Sequence, residues 1–148
     1  NPVKVTVKAP ALVADPYENN DSEANAYYFP TSFTNSQASI LSTGSNMHNG
    51  EDYDYYKIEL ASGSDYTITA RAHDSYSSAN GISYTNDVSW IYLKDGIWSD
   101  VYDDIMPNTI EVSDGGIIKF AVASYFIGDK GTYLLDLQIE RTEISTLI

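Results

Sequence analysis

The sequence predicts an all-β fold, an antiparallel β-sandwich built as one domain over residues 1–148. Three observations support this prediction. Apolar and polar residues alternate along many short segments, polar turns separate these segments, and no stretch keeps a convincing helical period. About eight or nine short strands of this kind are typical of a sandwich, and 148 residues suit a single domain.

Residues 1–11 are expected to form a first strand or a linker. Val3, Val5 and Val7 alternate with polar residues until Pro10 interrupts the pattern. Further on, residues 22–28 are expected to form one helical turn, capped by Asp21 or Ser22.

Two strongly patterned strands follow in the middle of the chain. The first strand is expected to bury Tyr56, Ile58 and Leu60, and the second to bury Tyr66, Ile68, Ala70 and Ala72. The polar residues 61–64 between them are typical of a hairpin connection. Residues 74–86, rich in Ser, Asn, Tyr and Gly, form the longest segment without a strand pattern.

The second half of the chain alternates between strands and turns. Runs at 88–94 and 97–102 are separated by Asp95-Gly96, which predicts a tight hairpin. A short strand at 109–112 precedes a turn at 113–116, and the apolar run 117–125 predicts a buried central strand. The last strand is expected to bury Tyr133, Leu135, Leu137 and Ile139. Both tryptophans, Trp90 and Trp98, are expected in the core or at a sheet edge.

The composition indicates which kinds of molecule this chain can bind. Acidic residues number 21 against 8 basic ones, for a net charge of −13, so nucleic acid and anionic membranes are poor partners. No apolar run approaches the roughly 20 residues of a membrane span. The absence of cysteine removes disulfides and thiolate metal sites. Divalent cations, neutral glycans and proteins fit this chain better.

Two acidic segments are candidates for a cation site. Residues 15–22 read DPYENNDS, and residues 51–56 read EDYDYY. Alternation puts Asp52 and Asp54 on the same side as the inward Tyr56, where two carboxylates repel unless a cation or hydrogen bonds compensate. Either segment alone is also explained by ordinary turn and capping chemistry. Together they predict an oxygen cage for a hard cation.

The same residues carry a family resemblance. The order DPYENNDS, then DYDYYKIEL, then Gly131 and Tyr133 opening an alternating last strand, resembles the bacterial pre-peptidase C-terminal domain over about residues 12–140. Members of that family are similar to jelly-roll-like β-sandwiches appended to secreted bacterial proteins, often proteases. Some members, such as the collagen-binding domains of clostridial collagenases, bind calcium and collagen.

The resemblance implies a set of calcium ligands. Carried over by position, these ligands are Glu18, Asn20 and Asp21 in the first motif and Asp52 and Asp54 in the second, with Asp15 as an outer ligand. The chain departs from the family pattern at Asn19, where proline is usual. That departure puts the rigidity of the loop and the affinity in doubt.

Tyrosine is the other excess in the composition, with 13 copies. Tyr53 and Tyr55 are expected to face away from the core, and Tyr76 and Tyr84 lie in the long polar segment. Exposed tyrosines can stack on sugars or pack against collagen-like chains. An ordinary sandwich surface is the simpler explanation for them.

Catalysis is not expected. The histidines, His48 and His73, have no metal-ligand spacing, and no GxSxG motif is present. Glycosidases use a pair of carboxylates, but such a pair is not diagnostic here, because so acidic a chain will always contain one.

Three functions remain open. The leading hypothesis is a noncatalytic calcium-binding accessory module of a secreted, surface or periplasmic bacterial protein, contacting neighbouring domains, a collagen-like protein or a neutral glycan. The alternatives are a structural spacer or folding-assistance domain with no ligand beyond calcium, and a hydrolase.

Overall fold

The computed structural model describes residues 14–47, 53–74, 77–79, 82–84, 88–103, 107–124 and 131–143. Within these ranges the chain forms twelve strands and one short 3-10 turn at Glu23–Asn25. In chain order the strands are β1 (Tyr27–Tyr28), β2 (Gln37–Leu41), β3 (Asn46–Met47), β4 (Tyr53–Leu60), β5 (Ser64–Asp74), β6 (Ser77–Ala79), β7 (Ile82–Tyr84), β8 (Val88–Lys94), β9 (Ile97–Trp98), β10 (Asn108–Val112), β11 (Gly116–Ser124) and β12 (Gly131–Glu143).

Two sheets face each other across the core. The first sheet has the strand order β1-β4-β11-β8-β9, and the second has the order β10-β5-β12-β2 with β3 pairing to the start of β12. The pairing is antiparallel in all described ladders except between β1 and β4. The expected all-β antiparallel sandwich is therefore confirmed.

The core is filled by alternate residues of the long strands, because successive side chains of a strand point to opposite faces. The predicted inward faces of β4, β5 and β12 are confirmed, and each of their apolar members is at most 2% exposed. Trp90 is also buried, and its ring lies 6.3 Å from that of Phe120 between centroids. The apolar run of β11 is central, between β4 and β8, as expected.

Local turn chemistry identified one hairpin correctly. Leu93 pairs with Trp98 and Lys94 with Ile97, so Asp95 and Gly96 form a two-residue loop. Their φ angles of 53° and 76° are those that a type I′ turn requires. The strand after this turn is shorter than expected and ends at Trp98, although Tyr102 returns to bridge Trp90.

The hairpin expected at residues 61–64 is wrong. Strand β4 pairs with β1 and β11, whereas β5 pairs with β10 and β12, so this connection crosses from one sheet to the other. Each strand buries its apolar face against the opposite sheet. The composition of a turn indicates only that the chain reverses direction. Which strands then pair depends on contacts between residues distant in sequence.

A second crossing, between β10 and β11, packs against the first. The Gly63 amide donates to Asp114 Oδ1 at 2.7 Å. Gly115 has a φ of +74°, and a Cβ atom there would lie 2.4 Å from the carbonyl oxygens of both Leu60 and Ala61. Only glycine fits this close approach without displacement of backbone.

Two further expectations need correction. Residues 74–86 are not a structureless loop, because β5 extends through Asp74 and β6 pairs with β7 in a small antiparallel ladder. The helical turn expected at 22–28 is confined to Glu23–Asn25, and its cap is Ser22, whose Oγ accepts from the Asn25 amide at 3.3 Å. The alternating segment around Val5 lies outside the described residues.

Candidate metal centre

Three carboxylates converge at one end of the sandwich. Asp15 and Glu18 come from the segment that precedes the 3-10 turn, and Asp54 lies near the start of β4. One carboxylate oxygen from each residue lies within 4.8 Å of the others. Asp15 is 6% exposed, Asp54 is fully buried, and Glu18 is half-buried.

The N-terminal part of this segment is attached to the second sheet. Asp15 Oδ1 accepts from the Tyr17 amide at 3.0 Å, and Asp15 Oδ2 accepts from the Asn46 amide of β3 at 2.8 Å. The Tyr17 hydroxyl donates to the Thr43 carbonyl oxygen at 2.7 Å. An aspartate that accepts from the amide two residues later is typical of a tight turn. Here the same carboxylate also reaches across to a distant strand.

The C-terminal part of the segment is attached to the first sheet through Asn20, which is fully buried. The Tyr55 amide of β4 donates to the Asn20 carbonyl oxygen at 2.8 Å. The Asn20 backbone amide in turn donates to Glu18 Oε2 at 3.3 Å. Residues 15–20 therefore connect the two sheets at the place where the carboxylates meet.

The Asn20 side-chain amide has two informative orientations. In one orientation its nitrogen donates to the Tyr55 carbonyl oxygen at 3.3 Å, and its oxygen faces Glu18 and Asp54. In the other, the nitrogen donates to Glu18 Oε2 and Asp54 Oδ1, each at 3.1 Å. The first orientation turns the amide oxygen toward two carboxylates, which is unfavourable unless a cation lies between them. The second satisfies the carboxylates without a cation.

Asp54 is also hydrogen-bonded on its core side. The Tyr133 hydroxyl donates to Asp54 Oδ2 at 2.5 Å, and the Tyr56 hydroxyl lies 2.5 Å from the Tyr133 hydroxyl. Burial, and next the Asp54 charge, raise the pKa of Tyr56 well above its ordinary value of 10.0. Burial, followed by the neighbouring Tyr56 and Asp54, raises the pKa of Tyr133 in the same direction. Both phenols therefore keep their protons at neutral pH and are available as donors.

The chemistry of this group suits a hard cation. Three carboxylates within one ligand sphere repel one another, and burial increases the repulsion because the local dielectric is low. Carboxylate and amide oxygens are the ligands that calcium takes in proteins. The described group contains neither histidine nor cysteine, which are the usual ligands of zinc.

The structure brings together most of the expected ligands that it describes. Glu18, Asn20 and Asp54 meet as the sequence predicted, and Asp15 belongs to the central group instead of lying at its rim. Asp21 is exposed at the surface, outside the three converging carboxylates. Asp52 lies outside the described residues.

Sequence reasoning missed the partners that orient these ligands. The Asn46 amide is 31 residues from Asp15, and Tyr133 is 79 residues from Asp54. No local sequence pattern predicts the Asn46 partner. The Tyr133 partner had one signal, since a tyrosine at a core position needs a hydrogen-bond partner for its hydroxyl.

The tyrosines singled out for binding have different positions. Tyr53 is 55% exposed and Tyr55 is half-buried, and both lie on the outer face of β4 as predicted. They form one wall of a groove whose floor is Ala121 and Ala123 of β11. Tyr84 belongs to β7, and its side chain lies outside the described part of the structure, as does all of Tyr76.

The groove is lined only by uncharged residues. Its lining residues are Tyr53, Tyr55, Ser89, Trp90, Ile91, Val101, Ala121 and Ala123. The Tyr55 ring also meets the Trp98 ring edge to face at 6.3 Å between centroids. This arrangement gives the first sheet an outward aromatic and aliphatic face.

Comparisons with known proteins add little to this geometry. No family model and no curated protein sequence matches the chain. Among solved structures, it is similar to Salmonella Typhimurium PliG, a periplasmic lysozyme inhibitor of g-type lysozyme, with 14% sequence identity and a TM-score of 0.42. That match covers 78% of this chain and 97% of PliG. Within the described ranges, no helix has the length and apolar character needed to cross a membrane.

Proposed function

We propose that this chain is a noncatalytic accessory module that binds calcium between its N-terminal segment and its two sheets. The observation that carries the proposal is the convergence of Asp15, Glu18 and Asp54 carboxylate oxygens within 4.8 Å. Two of these three residues are buried. Three buried or half-buried carboxylates this close together repel one another, and a cation between them would offset that repulsion.

The Asn20 amide lies at the same cluster and could supply a further oxygen ligand. It is fully buried beside Glu18 and Asp54, and only one of its two orientations turns its oxygen toward them. With calcium bound, that oxygen becomes a fourth protein ligand. Without calcium, the amide turns over and donates to the two carboxylates, so the metal-free protein retains a satisfied site.

Calcium in this position would stabilise the connection between the sheets. Asp15 is attached to β3 through the Asn46 amide, and Asn20 is attached to β4 through the Tyr55 amide. An ion shared by Asp15, Glu18 and Asp54 therefore adds a third link among the N-terminal segment, the first sheet and the second. A spacer or folding-assistance domain with no other ligand would use calcium in the same way.

The proposal assigns the module to a secreted, surface or periplasmic protein. Extracellular calcium modules bind at roughly 10⁻⁴–10⁻³ M, a range that is useful only where calcium is abundant. In such a setting a weak site is filled continuously, and it acts as a structural element.

Isothermal titration of calcium into chelator-stripped protein tests the proposal. We expect saturable heat with a dissociation constant of roughly 10⁻⁴–10⁻³ M. Magnesium should bind more weakly, because it holds its water molecules and requires octahedral ligands. A Glu140→Ala variant removes one exposed acid on the outer face of β12 and should bind as the wild type does. A flat calcium titration up to ten times that range would refute the proposal.

Polymer binding is a second candidate function, favoured by the uncharged groove beside Tyr53 and Tyr55. Two small residues, Ala121 and Ala123, form its floor, and Ile91 and Val101 form the opposite wall. Tyrosines at such a position add rigid contact area at low entropic cost. The net charge of −13 disfavours an anionic polymer, so a neutral glycan or a collagen-like chain is the expected ligand.

Pull-down on insoluble collagen, cellulose, chitin and peptidoglycan tests this second function. We expect the wild type to be retained on one polymer and a Tyr53→Ala/Tyr55→Ala double variant to be lost. Tyr28→Ala is the matched control, because Tyr28 is 45% exposed but does not line the groove. Retention on none of the polymers would leave the spacer function, and equal retention of all three proteins would place binding elsewhere.

A further inference from the structure

A buried chain of hydroxyl groups leads from the core of the sandwich to the metal centre. Tyr56 and Asp54 lie on β4 in the first sheet, and Tyr133 lies on β12 in the second. All three side chains are fully buried. The Tyr56 and Tyr133 hydroxyl oxygens are 2.5 Å apart, and the Tyr133 hydroxyl lies 2.5 Å from Asp54 Oδ2.

Donation along this chain has a fixed direction. An ionised carboxylate can only accept, so Tyr133 donates its single hydroxyl proton to Asp54. The Tyr56 hydroxyl must then donate to Tyr133. Hydrogen bonds to an ionised group are short and strong, and a donor chain that ends on a charge reinforces each member.

The backbone around Tyr133 is held by Ser45, the residue that precedes β3, whose first residue holds Asp15. The Tyr133 amide donates to the Ser45 carbonyl oxygen at 3.3 Å, and Ser45 Oγ donates to the Tyr133 carbonyl oxygen at 2.7 Å. The next residue, Asn46, donates its amide to Asp15 Oδ2. Tyr133 is therefore fixed relative to one cation ligand by its backbone and to another by its side chain.

The two oxygens of Asp54 consequently have different surroundings. Oδ2 accepts from Tyr133 in the core, while Oδ1 lies 3.1 Å from the Asn20 amide group at the centre of the cluster. We propose that Tyr133 is a positioning residue for the cation site: its hydroxyl holds Asp54 so that Oδ1 faces the ion. This inference rests on the proposed calcium binding. It adds that the Tyr133 hydroxyl increases the affinity of the site for calcium.

Tyr133→Phe separates positioning from packing. The phenylalanine keeps the ring in the core and removes only the oxygen that contacts Asp54. Tyr56→Phe is the matched control, because it removes one hydroxyl from the same buried pair, one hydrogen bond further from the carboxylate. Outer partners of metal ligands typically change affinity by about 10- to 100-fold. We expect Tyr133→Phe to weaken calcium binding at least about 10-fold in isothermal titration, as loss of an outer partner typically does, and Tyr56→Phe to weaken it clearly less.

The possible outcomes separate this inference from the proposed function. If the wild type binds calcium and Tyr133→Phe binds equally well, the positioning role is wrong and the calcium site stands. Equal weakening in both variants, with equal loss of metal-free thermal stability, would indicate a packing role and overturn the inference. A wild type that does not bind calcium overturns both proposals.

A measurement on the wild-type protein covers the case in which Tyr133→Phe does not fold. A buried hydroxyl proton bonded to a carboxylate exchanges slowly with water and can be observed by NMR. We expect the Tyr133 hydroxyl resonance to shift during a calcium titration. The midpoint of that shift should equal the midpoint of binding measured by calorimetry. A resonance that stays unchanged while calcium saturates the protein would show that Tyr133 does not act on the site.

Discussion

Calcium is expected to raise the melting temperature of this protein, and the loss of a single carboxylate from the metal centre is expected to remove that increase. A ligand at about 100 times its dissociation constant stabilises the folded state by roughly 2.7 kcal/mol. For a chain of this size, each kcal/mol corresponds to roughly 2–4 °C. The expected increase is therefore about 5–10 °C, measured by differential scanning calorimetry with calcium and with chelator.

Glu18→Ala and Asp54→Ala should both lose most of this calcium-dependent shift, for different structural reasons. Glu18 is half-buried, and its removal relieves repulsion within the cluster but also removes the acceptor of the Asn20 amide, so the metal-free variant should lose less stability than Asp54→Ala does. Asp54 is fully buried and accepts the Tyr133 hydroxyl. Its removal leaves that donor without its acceptor and should cost the metal-free protein about 1–3 kcal/mol.

Two further variants locate the site. Glu140→Ala makes the same charge change far from the cluster and should keep the full calcium shift. Asp21→Ala tests a ligand that the family resemblance implies, although the structure has this residue exposed outside the converging carboxylates. If Glu18→Ala and Asp54→Ala both retain the wild-type shift, the ligands have been misassigned.

Gly115→Ala is expected to cause a large loss of stability, because the added methyl group meets backbone atoms. Its φ of +74° is unfavourable for alanine by about 1–2 kcal/mol. The added Cβ would also lie 2.4 Å from the carbonyl oxygens of Leu60 and Ala61. Both contacts involve backbone, so relief requires the two sheet crossings to separate. Overpacking of this kind costs about 1–3 kcal/mol more.

Gly96→Ala is the matched control for this prediction. Gly96 has a φ of +76°, almost the same as Gly115, but a Cβ atom there would meet nothing within 4 Å. We expect Gly96→Ala to show only the conformational cost, about 1–2 kcal/mol. Chemical denaturation should therefore separate the two variants by about 1–3 kcal/mol, the typical cost of overpacking. Equal losses would show that the contact between the crossings does not matter for stability.

Several local features were predictable because neighbouring residues decide them. Alternation along β5 predicted that Tyr66, Ile68 and their companions are buried, since the period of a strand is fixed by its backbone. Asp95-Gly96 predicted a hairpin because few residue pairs tolerate two positive φ angles. The apolar run of β11 predicted a central strand, and β11 does lie between β4 and β8. Its outer face is not covered as the run suggested, since Ile117 is 55% exposed.

Other features were not predictable, because they depend on contacts between distant segments. The turn at 61–64 has the composition of a hairpin, but its two strands belong to different sheets. The segment 74–86 contains the β6–β7 ladder, although its composition resembles a loop. In both cases local composition describes how the chain turns, and it does not specify which strands become neighbours.

The candidate metal centre also combines features that local sequence predicts with features that depend on distant contacts. Composition and strand period are local properties, and they predicted that Glu18, Asn20 and Asp54 lie in oxygen-rich segments with Asp54 inward beside Tyr56. The positions of Asp15 within the group and of Tyr133 against Asp54 depend on the packing of the two sheets. These positions require two sheets to pack face to face, because a hydrogen bond between residues 79 positions apart has no signature in either local segment.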